Sequence, residues 1–344
     1  MKTGLMTERC LRNSLVLATA LLCLLLVLGA RSADGQVPPI ELSLPVDCAM
    51  GRDCFIQNYF DHAEGPGRQD HACGRLSYDG HDGIDFRTRD IPQMRQGVNV
   101  LAAAPGTVRA TRDGMADINV REIGVEAVLG QEAGNGVLID HGNGWMTQYS
   151  HLLQGSVMVQ QGDRIDRGTV LGQIGLSGLT EFPHVEFAVR FQGRPVDPFV
   201  GPRDFPGCNR ALTPIWSPSA QQTLDYIETG LLISGFHTGR PTQDDAQEGR
   251  YDPTAITRTA DALVYWVEVF GVLAGDIQRL TLLGPDGQVI TNVEEVLSES
   301  FVSWFAFAGD RFPNGVPPGQ YVGRYSLVRG GQIVVIEQDR VNVR

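Results

Sequence analysis

The spacing of glycine and proline restricts the fold more than any other feature of the chain. There are 41 Gly and 19 Pro among 344 residues, and the apolar runs between them are short. Such runs, cut by turn formers, build strands joined by tight turns rather than long helices. Val98–Ala104, Val137–Asp140 and Thr169–Gly175 read as strands, and no long amphipathic helix precedes Ser219. Asp140-His141-Gly142-Asn143-Gly144-Trp145 sets Asn-Gly between two apolar runs, the pair that favours a two-residue hairpin turn. Residues 113–134 break the rhythm and read as a surface excursion.

Prolines cluster at Pro202, Pro206, Pro214 and Pro218, and residues 211–224 read as a linker. Ser219–Ile233 is open to two readings, a short helix or a first strand. Beyond it the pattern is again β. Ala262–Val272 is rich in Val, Tyr, Trp and Phe; Leu280–Leu283 and Gln288–Ile290 flank Gly-Pro-Asp-Gly; Tyr321–Arg329 and Gln332–Ile336 flank Gly330-Gly331. Strands at this spacing predict a small sandwich over 225–344, with an immunoglobulin-like arrangement as the expectation. No cluster of metal-ligand or nucleophile type stands out there, so a protein partner is the role left open for it. The fold class is mainly β, with two domains in succession.

The amino terminus carries Lys2, Arg9 and Arg12, then an apolar run from Leu15 to Leu28, then small and polar residues through Ala33. This is the order of a secretory signal over residues 1–33, which predicts export to a periplasmic or extracellular space and no stable membrane insertion after cleavage. Cys48, Cys54, Cys73 and Cys208 remain beyond it, an even number that in an exported chain favours two disulfides. The loop-like stretch around Gly65-Pro66-Gly67 suggests Cys54–Cys73 as a local staple and Cys48–Cys208 as a clasp. No C-x-x-C pair is present, which speaks against a cysteine zinc site. A net charge of −12 offers no basic field for nucleic acid, so no nucleic-acid partner is expected.

Three segments hold residue types suited to metal or proton chemistry. In Gly80-His81-Asp82-Gly83-Ile84-Asp85-Phe86, His81 and Asp85 are four apart and can point to one side of an extended segment. Tyr149-Ser150-His151-Leu152 ends the second arm of the hairpin. In Pro183-His184-Val185-Glu186-Phe187, His184 and Glu186 alternate with apolar residues and would share one face of a strand. Imidazole nitrogen and carboxylate oxygen together suit Zn²⁺. His62, His71, His141 and His237 are not read as site residues, His237 being placed in the linker to the second domain.

This order resembles the M23 (LytM/lysostaphin-type) metallopeptidase family: His81-x-x-x-Asp85, Gly106-Thr107-Val108, Tyr149-Ser150-His151-Leu152, Gly162-Asp163 with Gly168, and His184-x-Glu186, over roughly residues 75–200. The resemblance implies an antiparallel β metallopeptidase domain, placed here at 45–210, one bound Zn²⁺, and cleavage of peptide bonds in peptidoglycan stem peptides or cross-links. Carried over by position, His81 and Asp85 are metal ligands. His184 is the residue that moves the proton, and His151 donates to the oxyanion. Glu186 stands where the family has its third ligand, a histidine. A carboxylate is a zinc ligand in its own right, but a second negative charge weakens Lewis acidity and favours harder ions. The other reading of the same departure is a catalytically degenerate module that binds peptidoglycan or regulates a separate cell-wall hydrolase.

Overall fold

The computed structural model describes residues 39–202, 207, 208, 212–251 and 256–344. The segment read as a secretion signal lies outside them, as do Pro206 and residue 211 at the start of the expected linker. In the first half the strands are β1 (Cys54–Asn58), β2 (Ile84–Thr88), β3 (Asn99–Leu101), β4 (Gly106–Arg112), β5 (Asn135–Gly142), β6 (Trp145–Leu152), β7 (Arg164–Ile165), β8 (Val170–Gln173), β9 (His184–Phe191) and β10 (Arg194–Val196). Helices are short: α1 (Ile91–Gln96) and α2 (Val120–Ile123).

Eight of these strands form one antiparallel sheet in the order β1-β2-β9-β6-β5-β4-β7, with β10 beside β9, while β3 and β8 pair separately. The β5–β6 hairpin turns on Asn143 and Gly144, whose φ values of 53° and 89° are the left-handed pair that a two-residue turn matching the strand twist requires. One face of the central strands is packed dry. Phe86, Val185 and Phe187 are fully buried there, and Trp216, from the proline-rich stretch, lies 5.6 Å from Phe187 and 6.3 Å from Phe86 by ring centroid. Each such side chain contributes roughly 1.5–3 kcal/mol through burial, so Trp216 is held against the sheet. The excursion at 113–134 carries α2 and leans on the loop before β9: Val120 N–H donates to Thr180 O, and Leu179 N–H donates to Glu132 O.

The disulfides differ in partner from the expectation. Cys48 is bonded to Cys54, and Cys73 to Cys208. The reason is local. The turn at 49–53 reverses the chain just before β1, where Cys54 N–H donates to Ala49 O, and this brings Cys48 within 6.1 Å of Cys54 by Cα. Cys54 is thereby committed, and Cys73, in a left-handed turn at φ 64°, is left facing Cys208. A staple and a clasp both exist, but each uses the other's expected cysteine.

The second half begins with α3 (Pro218–Gln221), β11 (Gly230–His237) and α4 (Gln243–Gln247), and continues with β12 (Ala262–Val272), β13 (Ile277–Leu283), β14 (Val289–Val296), β15 (Phe301–Arg311), β16 (Gly319–Arg329) and β17 (Gln332–Val343). Two antiparallel sheets, β11-β12-β15 and β14-β13-β16-β17, face each other. Alternate residues fill the space between them: Tyr265, Val267 and Val269 from β12 meet Leu280, Leu282, Tyr325 and Leu327 in one buried cluster. Gly330 and Gly331, at φ 56° and 83°, close the last hairpin. His237 is the last residue of β11 and not part of a linker. Ile40–Arg344 forms one compact unit. Across the two halves, Phe55 meets Phe270 edge-on at 5.7 Å, and Tyr226 donates to Asp70 at 2.9 Å.

Candidate active site

Strand register assembles the site. Asp85 on β2 lies opposite Glu186 on β9, Arg87 lies opposite His184, and Ser150 on β6 flanks Glu186 from the other side. Because side chains alternate, Asp85, Arg87, His184 and Glu186 share the face opposite Phe86, Val185 and Phe187. Simple alternation would send His151 to the other face, after Ser150. The backbone prevents this. Ser150 and His151 bulge against β5 at Gly136, and His151 takes a left-handed φ of 63°. A Cβ on Gly136 would come within 2.5 Å of Tyr149 O, so the bulge needs glycine there. His81 enters from the turn before β2. Gly83 leaves room for Glu186, since a Cβ on it would lie 2.9 Å from Glu186 Cγ.

All five residues singled out from the sequence are brought together. His81 Nε2 is 3.3 Å from Asp85 Oδ1, and His184 Nε2 is 3.6 Å from the same oxygen. Glu186 reaches His81 Nδ1 with Oε1 at 3.9 Å and His151 Nε2 with Oε2 at 3.7 Å. The rings of His151 and His184 lie 4.7 Å apart by centroid. The four residues His81, Asp85, His151 and His184 are buried, while the Glu186 side chain keeps 18% of its exposure.

Hydrogen bonds to the backbone set the imidazoles. His151 Nδ1 is 2.8 Å from Ser177 O, and His184 Nδ1 is 2.9 Å from Phe182 O. A carbonyl only accepts, so both rings carry their proton on Nδ1 and turn an Nε2 lone pair into the site. Burial lowers the pKa of both, that of His151 to about 3, so both are neutral. Burial also opposes charge on His81, but the carboxylates of Asp85 and Glu186 outweigh it and raise its pKa. Asp85 is held below the usual carboxylate range: burial works against this, and His81, His184 and a 2.7 Å hydrogen bond from Asn58 Nδ2 prevail. Glu186 goes the other way. Burial, then the negative charge of Asp85, pushes it up to about 7.

Whether these residues suit a metal is tested by their unsatisfied atoms. His81 Nδ1 and Nε2 and Asp85 Oδ1 are buried without a hydrogen-bond partner among the described residues. Native structures seldom leave such atoms orphaned, and a cation is one of the few groups that would satisfy an imidazole lone pair and a carboxylate together. Donor atoms around a tetrahedral zinc with bonds of about 2.0–2.2 Å stand about 3.3–3.6 Å apart, and the His81–Asp85 spacing falls there. Glu186 faces the other nitrogen of His81, so among the described residues no three side chains form a finished metal shell. The donor set fits a divalent ion, and Glu186 is the arm that must adjust.

Several supporting groups escape a reading of the sequence. Asn58 anchors Asp85 from a strand in the cysteine-rich segment, Tyr78 covers His81 at 4.3 Å, and Thr180 Oγ1 lies 3.1 Å from His184 Nδ1. Asn and Tyr in such segments carry no spacing signal. The one readable cue was Thr180-Glu181-Phe182-Pro183, an irregular run directly before a strand bearing two polar residues.

Residues 79–198 match the family model described as Peptidase family M23. Over 117 residues the chain is 40% identical to the peptidoglycan DD-endopeptidase ShyA of Vibrio cholerae serotype O1, covering 34% of this chain and 22% of that protein. Over 106 residues it is 32% identical to the DD-carboxypeptidase/endopeptidase Mpg of Neisseria meningitidis serogroup B, covering 31% and 22%. A zinc-containing peptidase from Vibrio cholerae aligns in structure with a TM-score of 0.32 and 25% identity, over 46% of this chain and 39% of that one. The chain thus spans 22% of the length of either curated relative.

Proposed function

We propose, from the match of residues 79–198 to the M23 peptidase family model, that this chain is an exported, metal-dependent endopeptidase that hydrolyses peptide bonds in peptidoglycan. The observation that carries the reading is the convergence of His81, Asp85 and Glu186 with two neutral imidazoles on one sheet face, at spacings of 3.3–3.9 Å. The apolar run from Leu15 to Leu28 and the two disulfides support export.

His81, Asp85 and Glu186 would hold one divalent ion, zinc by the donor set. Bound there, the ion supplies Lewis acidity toward the scissile carbonyl. The chain's own residues do the rest. His184, locked on Phe182 O through Nδ1, accepts the proton of the attacking water at Nε2 and returns it to the leaving amine. His151 has the same tautomer, so its Nε2 donates only when the ring carries a second proton, which burial disfavours. We therefore assign His151 to accept a hydrogen bond from the water or the substrate N–H, in place of the oxyanion donor expected from the resemblance. The buried face beneath excludes water, and the exposed flank of Glu186 admits the peptide.

One observation favours the second reading, a module that binds peptidoglycan without cutting it. Glu186 has a pKa near 7 and bridges His81 and His151. The deciding experiment measures the metal content of the purified mature protein together with peptide release from purified peptidoglycan. Stoichiometric zinc with peptide release supports the enzyme. No divalent ion at micromolar levels, with zinc binding and cleavage gained only in Glu186→His, would establish the binding module.

A further inference from the structure

We propose that the second β region is a positioning element of the active site: Gln247 and Glu268 hold Arg87, Arg87 holds Phe182, and Phe182 fixes the ring of His184. The inference rests on the reading of His184 as the proton-transfer residue, and it gives the second half of the chain a part in the chemistry.

The line begins at two charges that are expensive to bury. Arg87 and Glu268 are each 1% exposed, and taking an ion out of water costs several kcal/mol unless it is well paired. They do not pair directly among the described residues. Gln247 stands between them, donating from Nε2 to Glu268 and accepting at Oε1 from Arg87 Nη2 at 3.4 Å. Gln243 Nε2 and Ser303 Oγ donate to the other oxygen of Glu268 at 2.9 and 3.0 Å. On the sheet side, Arg87 donates to Gln57, to Thr88 O at 2.9 Å and to Arg89 O at 3.2 Å. The guanidinium is thus hydrogen-bonded to both halves of the chain.

That grip is passed to the site through an aromatic ring. The guanidinium carbon lies 4.9 Å from the centroid of Phe182, within the range of a cation–π contact. Phe182 in turn stacks on His184 at 4.4 Å with 26° between planes, and its carbonyl accepts a hydrogen bond from His184 Nδ1–H. Phe182 therefore controls the imidazole twice, by its face and by its backbone. Phe182 also lines a cleft of about 510 Å³ together with Arg87, Gln247 and Glu268.

The purpose of such a device follows from the reaction. Nε2 of His184 must address a water and then an amine, and a misplacement of about 1 Å in such a group costs up to roughly a hundredfold in rate. A residue that acts through Phe182 should therefore alter the turnover step more than substrate binding.

The test uses the full mature chain and four variants, Gln247→Ala, Phe182→Leu, Phe182→Tyr and the double variant Gln247→Ala with Phe182→Leu. The first readout is the ¹⁵N–¹H spectrum of the His184 ring in the metal-free protein, which requires no activity. Gln247→Ala and Phe182→Leu should shift and broaden the His184 signals alike, and Phe182→Tyr should preserve them. The second readout is cleavage. kcat should fall roughly tenfold to a hundredfold in both single variants, with KM within about twofold, and the double variant should be no worse than Phe182→Leu alone. Unchanged His184 signals in Gln247→Ala, in a protein whose thermal transition is intact, overturn the proposal. So do losses that simply multiply in the double variant. If the wild type cuts nothing, the peptidase reading fails, and the ring spectra still decide the positioning claim.

Discussion

Glu186 is the residue on which the site turns, and its burial has a measurable thermodynamic signature. In the metal-free fold its pKa is pushed from 4.5 up to about 7, by burial first and by Asp85 second. A carboxyl whose pKa is raised by folding stabilises the fold fully below its unfolded value and loses that contribution as pH rises through its folded value. The window is therefore pH 4.5 to about 7. Each pKa unit is worth 1.36 kcal/mol, so the loss is about 3 kcal/mol. Other groups titrate in the same range with the opposite sign. His151 is buried neutral with its pKa lowered to about 3, so its contribution is present above the unfolded value of 6.5 and is lost as pH falls. The comparison that isolates Glu186 is wild type against Glu186→Gln, both in chelator, by urea unfolding at half-unit steps from pH 4 to 8. The stability difference should move against the wild type by about 3 kcal/mol across the window. Zinc should then reverse it: at a hundredfold excess over Kd the wild type gains about 2.7 kcal/mol, and Glu186→Gln gains far less. A difference curve flat to within about 0.5 kcal/mol would refute the argument that this carboxylate is desolvated beside Asp85.

Other substitutions probe the remaining parts of the site. His184→Ala should abolish cleavage while leaving zinc bound, read by metal analysis and peptide release on one sample. Gly83→Ala places a methyl group against Glu186 Cγ; metal affinity should drop about tenfold or more, as seen by competition with a zinc chelator, with little change in the metal-free thermal transition. Phe187→Ala empties the dry face of the sheet behind Glu186 and should cost about 3–5 kcal/mol in chemical denaturation. Peptide mapping without reduction should return Cys48 with Cys54 and Cys73 with Cys208, and a denatured sample should show none of these four as free thiols.

How far the chain could be read before its structure was seen depended on the range of the signal. Asn143-Gly144 and Gly330-Gly331 were legible because a left-handed pair of residues is a local requirement. His184 and Glu186 were legible as face-sharing residues because strand alternation is also local. The position of His151 was not: alternation alone places it on the wrong face, and only the bulge opposite Gly136 corrects that. Cysteine partners were misassigned because pairing depends on where a turn places Cα atoms, and spacing says nothing of that. Asn58, Tyr78 and Arg87 were invisible as site residues, because each acts through a neighbour brought close by the sheet.

The clasp between Cys73 and Cys208 has a topological consequence. His81, Asp85, His151, His184 and Glu186 all lie between its two ends, so the whole site sits on a covalently closed ring of chain. A protease that cuts the excursion at 113–134 opens the ring at one point and releases nothing. The two fragments would stay joined until reduced, with the sheet still threaded through both. Wherever proteases meet it, a cleaved molecule of this kind keeps its site residues on a single covalent body, and damage to the chain is visible on a gel only after a reductant is added.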